Sequence, residues 1–346
     1  MRVFMITSEW PTPQAPMKAP FLVRQVEFLR RAGIEVEVFG FRGAKNPANY
    51  FRAWRRAQRC LTRGRFDLIH AQWGQSALLA LPKRLPLVIT FRGNDLEGIV
   101  GRNGRYTALG RIQAALSQQM VRYADEVIVV SESLGRRLPR DRGYDVIPSG
   151  LDLELFRSLP QHEARERLGL PPEKRLVLFA VGSIEDPRKR YTLARSVVER
   201  LQREFDVELV VASGVEHASM PYYMNACDAL ILTSVHEGSP NVVKEALACN
   251  LPVVSVDVGD VRQRIGSIHG CIVCGDDTVE TLAAALGEVL RKRERIAGRS
   301  SVRDLDERLI ARRVAGIYEK AVGRARPVGQ HRSAQMRAPA SDRQER

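Results

Sequence analysis

The sequence has 346 residues, 44% of them apolar and 27% charged, and its formal net charge is +14. This length favours two domains, and this composition excludes a wholly disordered chain. No apolar run is long enough to cross a bilayer, and we expect no signal peptide before the first strand, so the sequence predicts a cytoplasmic protein.

The positive charge is concentrated in the first part of the chain. Residues 1–150 contain 24 Lys and Arg against 12 Asp and Glu, whereas residues 151–321 contain 24 against 26. We therefore expect an anionic partner for the first part, which could be a membrane surface, a nucleic acid or a phosphorylated acceptor.

Strand and helix patterns alternate over the first 160 residues. Amphipathic patterns predict helices over 20–33 and 51–64. Short β-branched runs predict six strands. These runs are RVFMIT (2–7), IEVEVFGF (34–41), FDLIHAQ (66–72), PLVITFRG (86–93), DEVIVVS (125–131) and YDVIPSG (144–150). Such alternation indicates βαβ units and a parallel sheet.

The pattern starts again after SGLDLELFRSLP, residues 149–160. The second set of strands is LVLFAVGS (176–183), VELVVASG (207–214), ALILTS (229–234), PVVSVD (252–257) and CIVC (271–274). The fold class predicted is α/β, with two doubly wound domains over 1–160 and 161–321. The last helix could pack back on the first domain, and we expect the basic segment 322–346 to be disordered.

The segment HEGSPNVVKE, residues 236–245, follows an apolar strand. Ser239 is suited to a helix N-cap and Pro240 to the first helical position. The free N–H groups at this helix start would bind phosphate. They belong to Asn241, Val242 and Val243. Glu245 could then accept hydrogen bonds from ribose hydroxyls, while Glu237 precedes the helix. The spacing alone is also compatible with two solvated glutamates.

In its context this segment resembles the retaining nucleotide-sugar glycosyltransferases of family 4, which have the GT-B fold of two Rossmann-like domains facing across a cleft. The resemblance is densest in PYYMNACDALILTSVHEGSPNVVKEALACNLPVVSVDVGDV, residues 221–261, and extends over nearly the whole chain. Further matching segments are FLVRQVEFLRRAGIEVEVF, ADEVIVVSESLGRRL, VIPSGLDLELF and DPRKRYTLA.

The resemblance implies roles for particular residues. Glu237 would lie beside the transferred sugar and Glu245 at the ribose of the donor. Arg188 and Lys189 would bind the donor diphosphate, where cations stabilise a leaving phosphate. Asp95, in TFRGND, would reach the sugar from the other domain.

Four positions depart from the family pattern. APMKAP, residues 15–20, stands where Gly-Gly is common, and Arg92 stands where His is common. Ser183 occupies the place of a basic residue, and Asn250 the place of a Gly. Arg92 could put a positive charge near the donor or the acceptor, or it could be a surface residue paired with Asp95.

Two further features of the first domain are candidates for the acceptor side. His70 ends a strand at the expected cleft edge and could contact the acceptor or have no role. The helix FRAWRRAQRCLTRGRF places Phe51 and Trp54 among arginines. This pattern favours contact with an anionic membrane, although a solvated basic helix has the same pattern.

Metal chemistry is not predicted. Cys271 and Cys274 form a CxxC, but no second Cys or His pair stands at zinc spacing. We expect no cofactor beyond the nucleoside diphosphate sugar as co-substrate.

The sequence therefore predicts a metal-independent, retaining glycosyltransferase that moves a sugar from a nucleoside diphosphate to a hydroxyl of a glycan or lipid-linked acceptor. It would act in polysaccharide or glycolipid biosynthesis, either free in the cytoplasm or as a peripheral protein on the inner face of the membrane. A sugar-nucleotide epimerase or a phosphorylase of the same fold is the alternative. Nucleic-acid binding is disfavoured because no aromatic platform or recognition motif accompanies the arginines.

Overall fold

The computed structural model describes residues 1–16, 18–43 and 46–325. The first domain is built on a six-stranded parallel sheet with the order β2-β1-β3-β4-β5-β6. Its strands are β1 Arg2–Thr7, β2 Glu35–Gly40, β3 Leu68–Gln72, β4 Leu87–Phe91, β5 Glu126–Val129 and β6 Asp145–Val146. Strands β3, β4 and β5 are buried throughout, as expected of parallel strands covered by helices on both faces.

The second domain is built on a five-stranded parallel sheet with the order β11-β10-β9-β7-β8. Its strands are β7 Arg175–Val181, β8 Val207–Ser213, β9 Ala229–Leu232, β10 Val253–Val256 and β11 Ile272–Cys274. The two doubly wound sheets predicted from the sequence are confirmed. In such sheets a ligand crevice lies where the strand order reverses, which here is between β1 and β3 and between β7 and β9.

Twelve α-helices cover the sheets over the described residues. They are α1 Pro20–Arg31, α2 Pro47–Arg63, α3 Asn94–Glu97, α4 Ala108–Met120, α5 Glu132–Gly135, α6 Gln161–Leu168, α7 Tyr191–Leu201, α8 Met220–Ala226, α9 Asn241–Ala248, α10 Val261–Ile265, α11 Val279–Lys292 and α12 Glu307–Ala325. Helix α4 was not predicted, because its large apolar residues lie on its exposed side and its buried positions include Gly110 and Ser117.

The chain crosses between the domains twice, and the two crossings are hydrogen bonded to each other. The N–H of Leu151 donates to the carbonyl of Leu305 at 2.7 Å, and the N–H of Glu307 donates to the carbonyl of Leu151 at 3.2 Å. Helix α12 then packs on α1 and on the first sheet, so the last helix of the chain belongs spatially to the first domain.

The boundary expected for the C-terminal segment needs a correction. Helix α12 continues to Ala325, so residues 322–325 are helical although disorder was predicted from 322. The buried Ala321 and the half-buried Val322 pack in the core and extend the helix this far. Residues 326–346, the rest of the predicted disordered segment, lie outside the described residues.

Candidate active site

A cavity of about 430 Å³ lies between the two domains, beyond the carboxyl ends of β7 and β9. The first domain contributes Pro20, Phe21, Arg92 and Ser149 to its walls, and the second contributes Arg188, Lys189, His217, Glu237, Gly238, Ser239, Pro240, Asn241, Val242 and Glu245. The domains approach closely at Gly238, where a β-carbon would lie 2.2 Å from the carbonyl oxygen of Arg92. Any larger residue would push the two domains apart at this point.

Glu237 is held by two cations at the wall of this cavity. Its Oε1 atom lies 2.6 Å from Lys189 Nζ and 2.8 Å from Arg188 Nη1, and it accepts a hydrogen bond from Ser234 at 2.7 Å. Burial opposes ionisation of this carboxyl, but Lys189 and Arg188 outweigh burial and lower the pKa of Glu237 to about 2. Glu237 is therefore a carboxylate at any physiological pH.

Arg188 and Lys189 follow β7 in a short 3-10 segment, Pro187–Lys189. Arg188 also donates from Nη2 to Asp186 at 3.1 Å and from Nη1 to the carbonyl of His236 at 3.2 Å. Its Nε atom is buried without a partner among the described residues. The two cations thus face the cavity beside Glu237 and could contact an anionic group that enters it.

Helix α9 begins one residue later than the sequence suggested, with Pro240 at the N-cap and Asn241 as the first helical residue. Ser239 does not cap the helix, because its hydroxyl donates to Asp260 Oδ2 at 2.8 Å instead. The first N–H groups of a helix have no partner inside it. Asn241 and Val242 line the cavity here, whereas the N–H of Val243 donates to the carbonyl of Pro240 at 3.2 Å and its side chain is buried in the core.

Glu245 lies one turn into α9 and is buried at the same cavity. Its Oε1 atom accepts a hydrogen bond from His217 Nε2 at 2.9 Å, and Arg24 of the first domain donates to His217 Nδ1 at 2.8 Å. Burial favours the neutral acid, but the hydrogen bond and charge from His217, with Arg24, lower the pKa of Glu245. His217 was missed in the sequence, although its place just beyond the end of β8 is the signal that identified the other cleft residues.

Lys244, which the sequence did not single out, is almost completely buried at 1% exposure. Its ammonium group donates to the carbonyl oxygen of Ser149 at 3.1 Å and forms no ion pair with a described carboxylate. Burial lowers the pKa of Lys244 to about 8. The second domain is therefore joined to the crossing segment by a desolvated cation.

The catalytic role predicted for Asp95 needs a correction. Its carboxylate is fully buried and accepts backbone hydrogen bonds from Gly74 at 3.0 Å, Gly93 at 2.9 Å and Arg92 at 3.1 Å. Asp95 does not line the cavity. Its side chain instead holds the loop after β4 in the shape that brings Arg92 and Gly93 to the cleft.

His70 also lies elsewhere than the sequence suggested. It is fully buried, and its ring is hydrogen bonded to Tyr318 at 2.7 Å and to Thr90 at 2.8 Å. Burial, with the nearby charge of Arg92, lowers the pKa of His70 to about 3, so the ring is neutral. It does not reach the cavity, and it joins α12 to the first sheet.

Arg92 does face the cleft, and it does not pair with the carboxylate of Asp95 through its side chain. The guanidinium donates to Gln72 at 2.9 Å, Ser149 at 2.9 Å and Gln25 at 2.8 Å. Its carbon Cζ lies 4.8 Å from the centre of the Phe21 ring. Burial lowers the pKa of Arg92 to about 10, which leaves a cation held only by neutral oxygens on the first-domain wall.

The remaining departures from the family pattern are Asn250, Ser183 and the segment APMKAP. Asn250 has φ +55°, a left-handed conformation that Gly adopts freely and Asn tolerates. Its side chain also accepts from the N–H of Arg299 at 2.9 Å. Ser183 is exposed and does not line the cavity, and in APMKAP Met17 lies outside the described residues.

Among residues 1–16, 18–43 and 46–325, no group of three or more His, Cys, Asp or Glu side chains could hold a metal ion. Likewise, no helix in this part of the chain has the length and apolarity needed to cross a membrane.

Comparison with known proteins identifies the family. The family model for Glycosyltransferase Family 4 matches residues 1–155, and the model for Glycosyl transferases group 1 matches residues 174–292. The chain is a glycosyltransferase of the family 4 type. This result confirms the predicted resemblance to the family 4 glycosyltransferases, whereas the retaining mechanism stays a prediction.

Individual relatives agree with this assignment. TuaC of Bacillus subtilis, described as a candidate teichuronic acid biosynthesis glycosyltransferase, is 28% identical in an alignment of 280 positions that covers 74% of this chain and 69% of that protein. The D-inositol 3-phosphate glycosyltransferase of Thermobispora bispora is 27% identical over 323 residues, covering 77% of this chain and 74% of the relative.

Solved structures confirm the GT-B fold of this glycosyltransferase. Sucrose-phosphate synthase from Thermosynechococcus elongatus superposes with a TM-score of 0.74 at 18% identity, over 93% of this chain and 99% of that one. Anabaena HepE in complex with UDP-glucose superposes with a TM-score of 0.63 at 19% identity, over 92% and 99%. WaaG, a glycosyltransferase involved in lipopolysaccharide biosynthesis, gives 0.67 at 15% identity, over 92% and 99%.

Proposed function

We propose that this glycosyltransferase transfers a sugar from a nucleoside diphosphate to a hydroxyl of a glycan or lipid-linked acceptor, with retention of configuration and without a metal ion. The observation that carries the proposal is the arrangement of Glu237, Arg188 and Lys189 in front of the free N–H groups of α9. A carboxylate, two cations and a helix start in one cavity suit a sugar joined to a diphosphate.

The diphosphate would bind at the start of α9 and form ion pairs with Arg188 and Lys189. These cations pair with Glu237 in the structure, so a bound diphosphate would compete with Glu237 for them. The released carboxylate would then be free to accept hydrogen bonds from the transferred sugar. Glu245, whose Oε1 atom is fixed by His217, would accept from the ribose through its other oxygen.

The reaction would exchange one bond at the anomeric carbon of the donor. The bond to the phosphate oxygen breaks, the acceptor oxygen forms its bond on the same face, and the diphosphate takes the acceptor proton. Arg188, Lys189 and the helix N–H groups stabilise the negative charge that develops on the leaving phosphate. No described carboxylate other than Glu237 and Glu245 lines the cavity, which favours proton removal by the leaving group.

Uridine diphosphate sugars are the first donors to test, because HepE, which shares the fold, was solved with UDP-glucose. Binding of UDP, GDP and ADP should be measured by calorimetry on the wild-type protein and on Glu245→Ala. Loss of the ribose contact should weaken binding of the preferred nucleotide by about 1.5–3 kcal/mol. Equal affinity in a folded Glu245→Ala protein would contradict the assignment of this carboxylate.

Product analysis separates transfer from the alternative reactions. Incubation with the preferred donor should give a glycoside of unchanged anomeric configuration only when an acceptor hydroxyl is supplied, as read by nuclear magnetic resonance. A changed sugar without any acceptor would favour an epimerase, and dependence on inorganic phosphate would favour a phosphorylase.

A further inference from the structure

Helix α4 has its apolar and polar sides reversed relative to an ordinary surface helix. Leu109, Ile112 and Leu116 are 48%, 58% and 47% exposed, and they recur at the spacing of one helical face. The buried positions of the same helix are Gly110, Ser117 and Met120. A helix normally turns its apolar side to the core, so this outer face is an unpartnered apolar surface.

The small residues inside α4 explain why the reversed helix is stable. A β-carbon at Gly110 would lie 2.3 Å from the backbone nitrogen of Ile99, so this glycine lets the helix lie directly on the segment after α3. The hydroxyl of Ser117 lies 3.4 Å from Gln75 Oε1. Thr107 caps the helix by accepting from the N–H of Gly110 at 3.0 Å. Helix α4 is therefore docked by backbone approach, by capping and by the buried Met120, while Leu109, Ile112 and Leu116 remain outside.

The segment of the chain that contains this face carries side-chain charge of one sign. Residues 98–124 contain four arginines and no Asp or Glu. The arginines are Arg102, Arg105, Arg111 and Arg122. All four are exposed, and none forms an ion pair with a described carboxylate. An apolar stripe with unpaired arginines on its flanks has the chemistry of a helix that lies in the interface of an anionic membrane.

This surface adjoins the loop that carries His236 and Glu237. Tyr106, at the residue before the cap of α4, hydrogen bonds through its hydroxyl to His236 Nδ1 at 3.0 Å, and the two rings stack at 5.5 Å. His236 directly precedes Glu237. A membrane under α4 would therefore lie beside the cleft, where a lipid-linked hydroxyl could enter.

We propose that α4, with Leu109, Ile112, Leu116 and the four flanking arginines, is the surface by which this glycosyltransferase docks on an anionic membrane. The inference rests on the proposed transfer reaction and specifies it, because it favours a lipid-linked acceptor.

This membrane surface differs from the one predicted from the sequence, which was helix α2. There Trp54 is half-buried and donates to the carbonyl of Leu81 at 2.6 Å, which leaves Phe51 as the exposed aromatic residue of that helix.

Vesicle flotation tests the proposal with the full-length protein and three sets of variants. The first replaces Leu109, Ile112 and Leu116 by Ser, and the second replaces Arg105 and Arg111 by Gln. The third, a matched control, replaces Arg55 and Arg59 of α2 by Gln and so removes the same charge from another exposed helix. Vesicles of phosphatidylcholine with and without phosphatidylglycerol serve as the neutral and anionic surfaces.

We expect the wild-type protein to float with anionic vesicles and to bind neutral vesicles more weakly. The serine variant should lose at least about tenfold in partitioning, since burial of each large apolar side chain contributes substantially to membrane binding. The Arg105→Gln, Arg111→Gln variant should lose the preference for anionic vesicles, and the α2 control should partition within about twofold of wild type.

Other outcomes would overturn the proposal. If the serine variant binds vesicles as strongly as the wild type does, α4 is not a membrane surface. The same conclusion follows if the wild type does not float with vesicles at low salt. Loss of binding only in the α2 control would place the contact on α2. A wild-type dimer that the serine variant turns into a monomer without any vesicle binding would identify a second copy of the chain as the partner.

Affinity for the preferred nucleoside diphosphate, measured on the same preparations, keeps the two proposals separate. Because α4 lies outside the donor cavity, all variants should bind the nucleotide as the wild type does. Nucleotide binding without vesicle binding would contradict only the docking surface, whereas vesicle binding without nucleotide binding would contradict the proposed transfer reaction.

Discussion

Replacement of Lys244 by Met should stabilise the protein at neutral pH. The side chain is 1% exposed, and its ammonium group has a single partner, the carbonyl oxygen of Ser149. Burial lowers its pKa from 10.5 to about 8, and this difference corresponds to about 3 kcal/mol at ~1.36 kcal/mol per pKa unit. Loss of the hydrogen bond to Ser149 costs about 1 kcal/mol, so the net gain in the free energy of unfolding is about 2 kcal/mol.

The gain should depend on pH in a defined direction. Below pH 8 the lysine is charged in both the folded and the unfolded chain, so the wild type bears the full cost of the buried cation. As the pH rises from about 8 to about 10.5, the folded protein releases the proton first, and the wild type becomes more stable relative to Lys244→Met. The advantage of the variant should therefore shrink across this range.

Urea unfolding followed by circular dichroism, at about pH 7 and about pH 9.5, measures both effects. Lys292→Met is the control, because Lys292 is exposed on α11 and pairs with Glu288 at 3.1 Å, and its replacement should change stability by no more than about 0.5 kcal/mol. A Lys244→Met protein that is less stable than wild type at neutral pH would refute the reasoning and show that the buried ammonium is net stabilising.

Further predictions concern the donor site, the docking of the last helix and the basic helix α2. Replacing Arg188 and Lys189 by Gln keeps hydrogen-bond donors near the buried carboxylate. The double variant should lose much more affinity for the preferred nucleoside diphosphate than for its nucleoside, and equal losses measured by calorimetry would show that the two residues do not bind the diphosphate. Tyr318→Phe should lower the free energy of unfolding by about 1–3 kcal/mol, because a buried histidine nitrogen loses its partner, and an unchanged urea midpoint would contradict this. Exchanging Arg55 and Arg59 for Glu should leave nucleotide affinity unchanged, since both lie outside the donor cavity; a loss seen by calorimetry would link α2 to that site.

The buried charges at the cleft were not predictable from local pattern. Lys244 lies between Val243 and Glu245 in α9, and nothing in the sequence shows that its ammonium group would meet the carbonyl of Ser149, 95 residues earlier in the chain. Arg24 likewise reaches His217 over a separation of 193 residues. These contacts exist only because the two sheets face each other.

The sequence by itself determined the two parallel sheets and the place of the donor site. Strand runs such as those of β7 and β9 are apolar throughout because both faces of a parallel sheet are covered, and their periodicity and length are local properties. The segment from Glu237 to Glu245 follows β9, and the carboxyl ends of parallel strands share one edge, so this segment could be placed at the cleft before any coordinates were known. Its proposed role in donor binding came from the resemblance to family 4.

Tertiary structure alone decided what the polar side chains near that edge do. Asp95 and Arg92 are three residues apart in one loop, yet the carboxylate of Asp95 turns inward to three backbone N–H groups and the guanidinium of Arg92 faces the cleft. His70 lies in the middle of β3, two residues before the end of the strand, and is covered by Tyr318, which arrives from 248 residues away. A strand places a residue at an edge, whereas the side of the sheet it occupies and the partners it meets depend on elements that are distant in the chain.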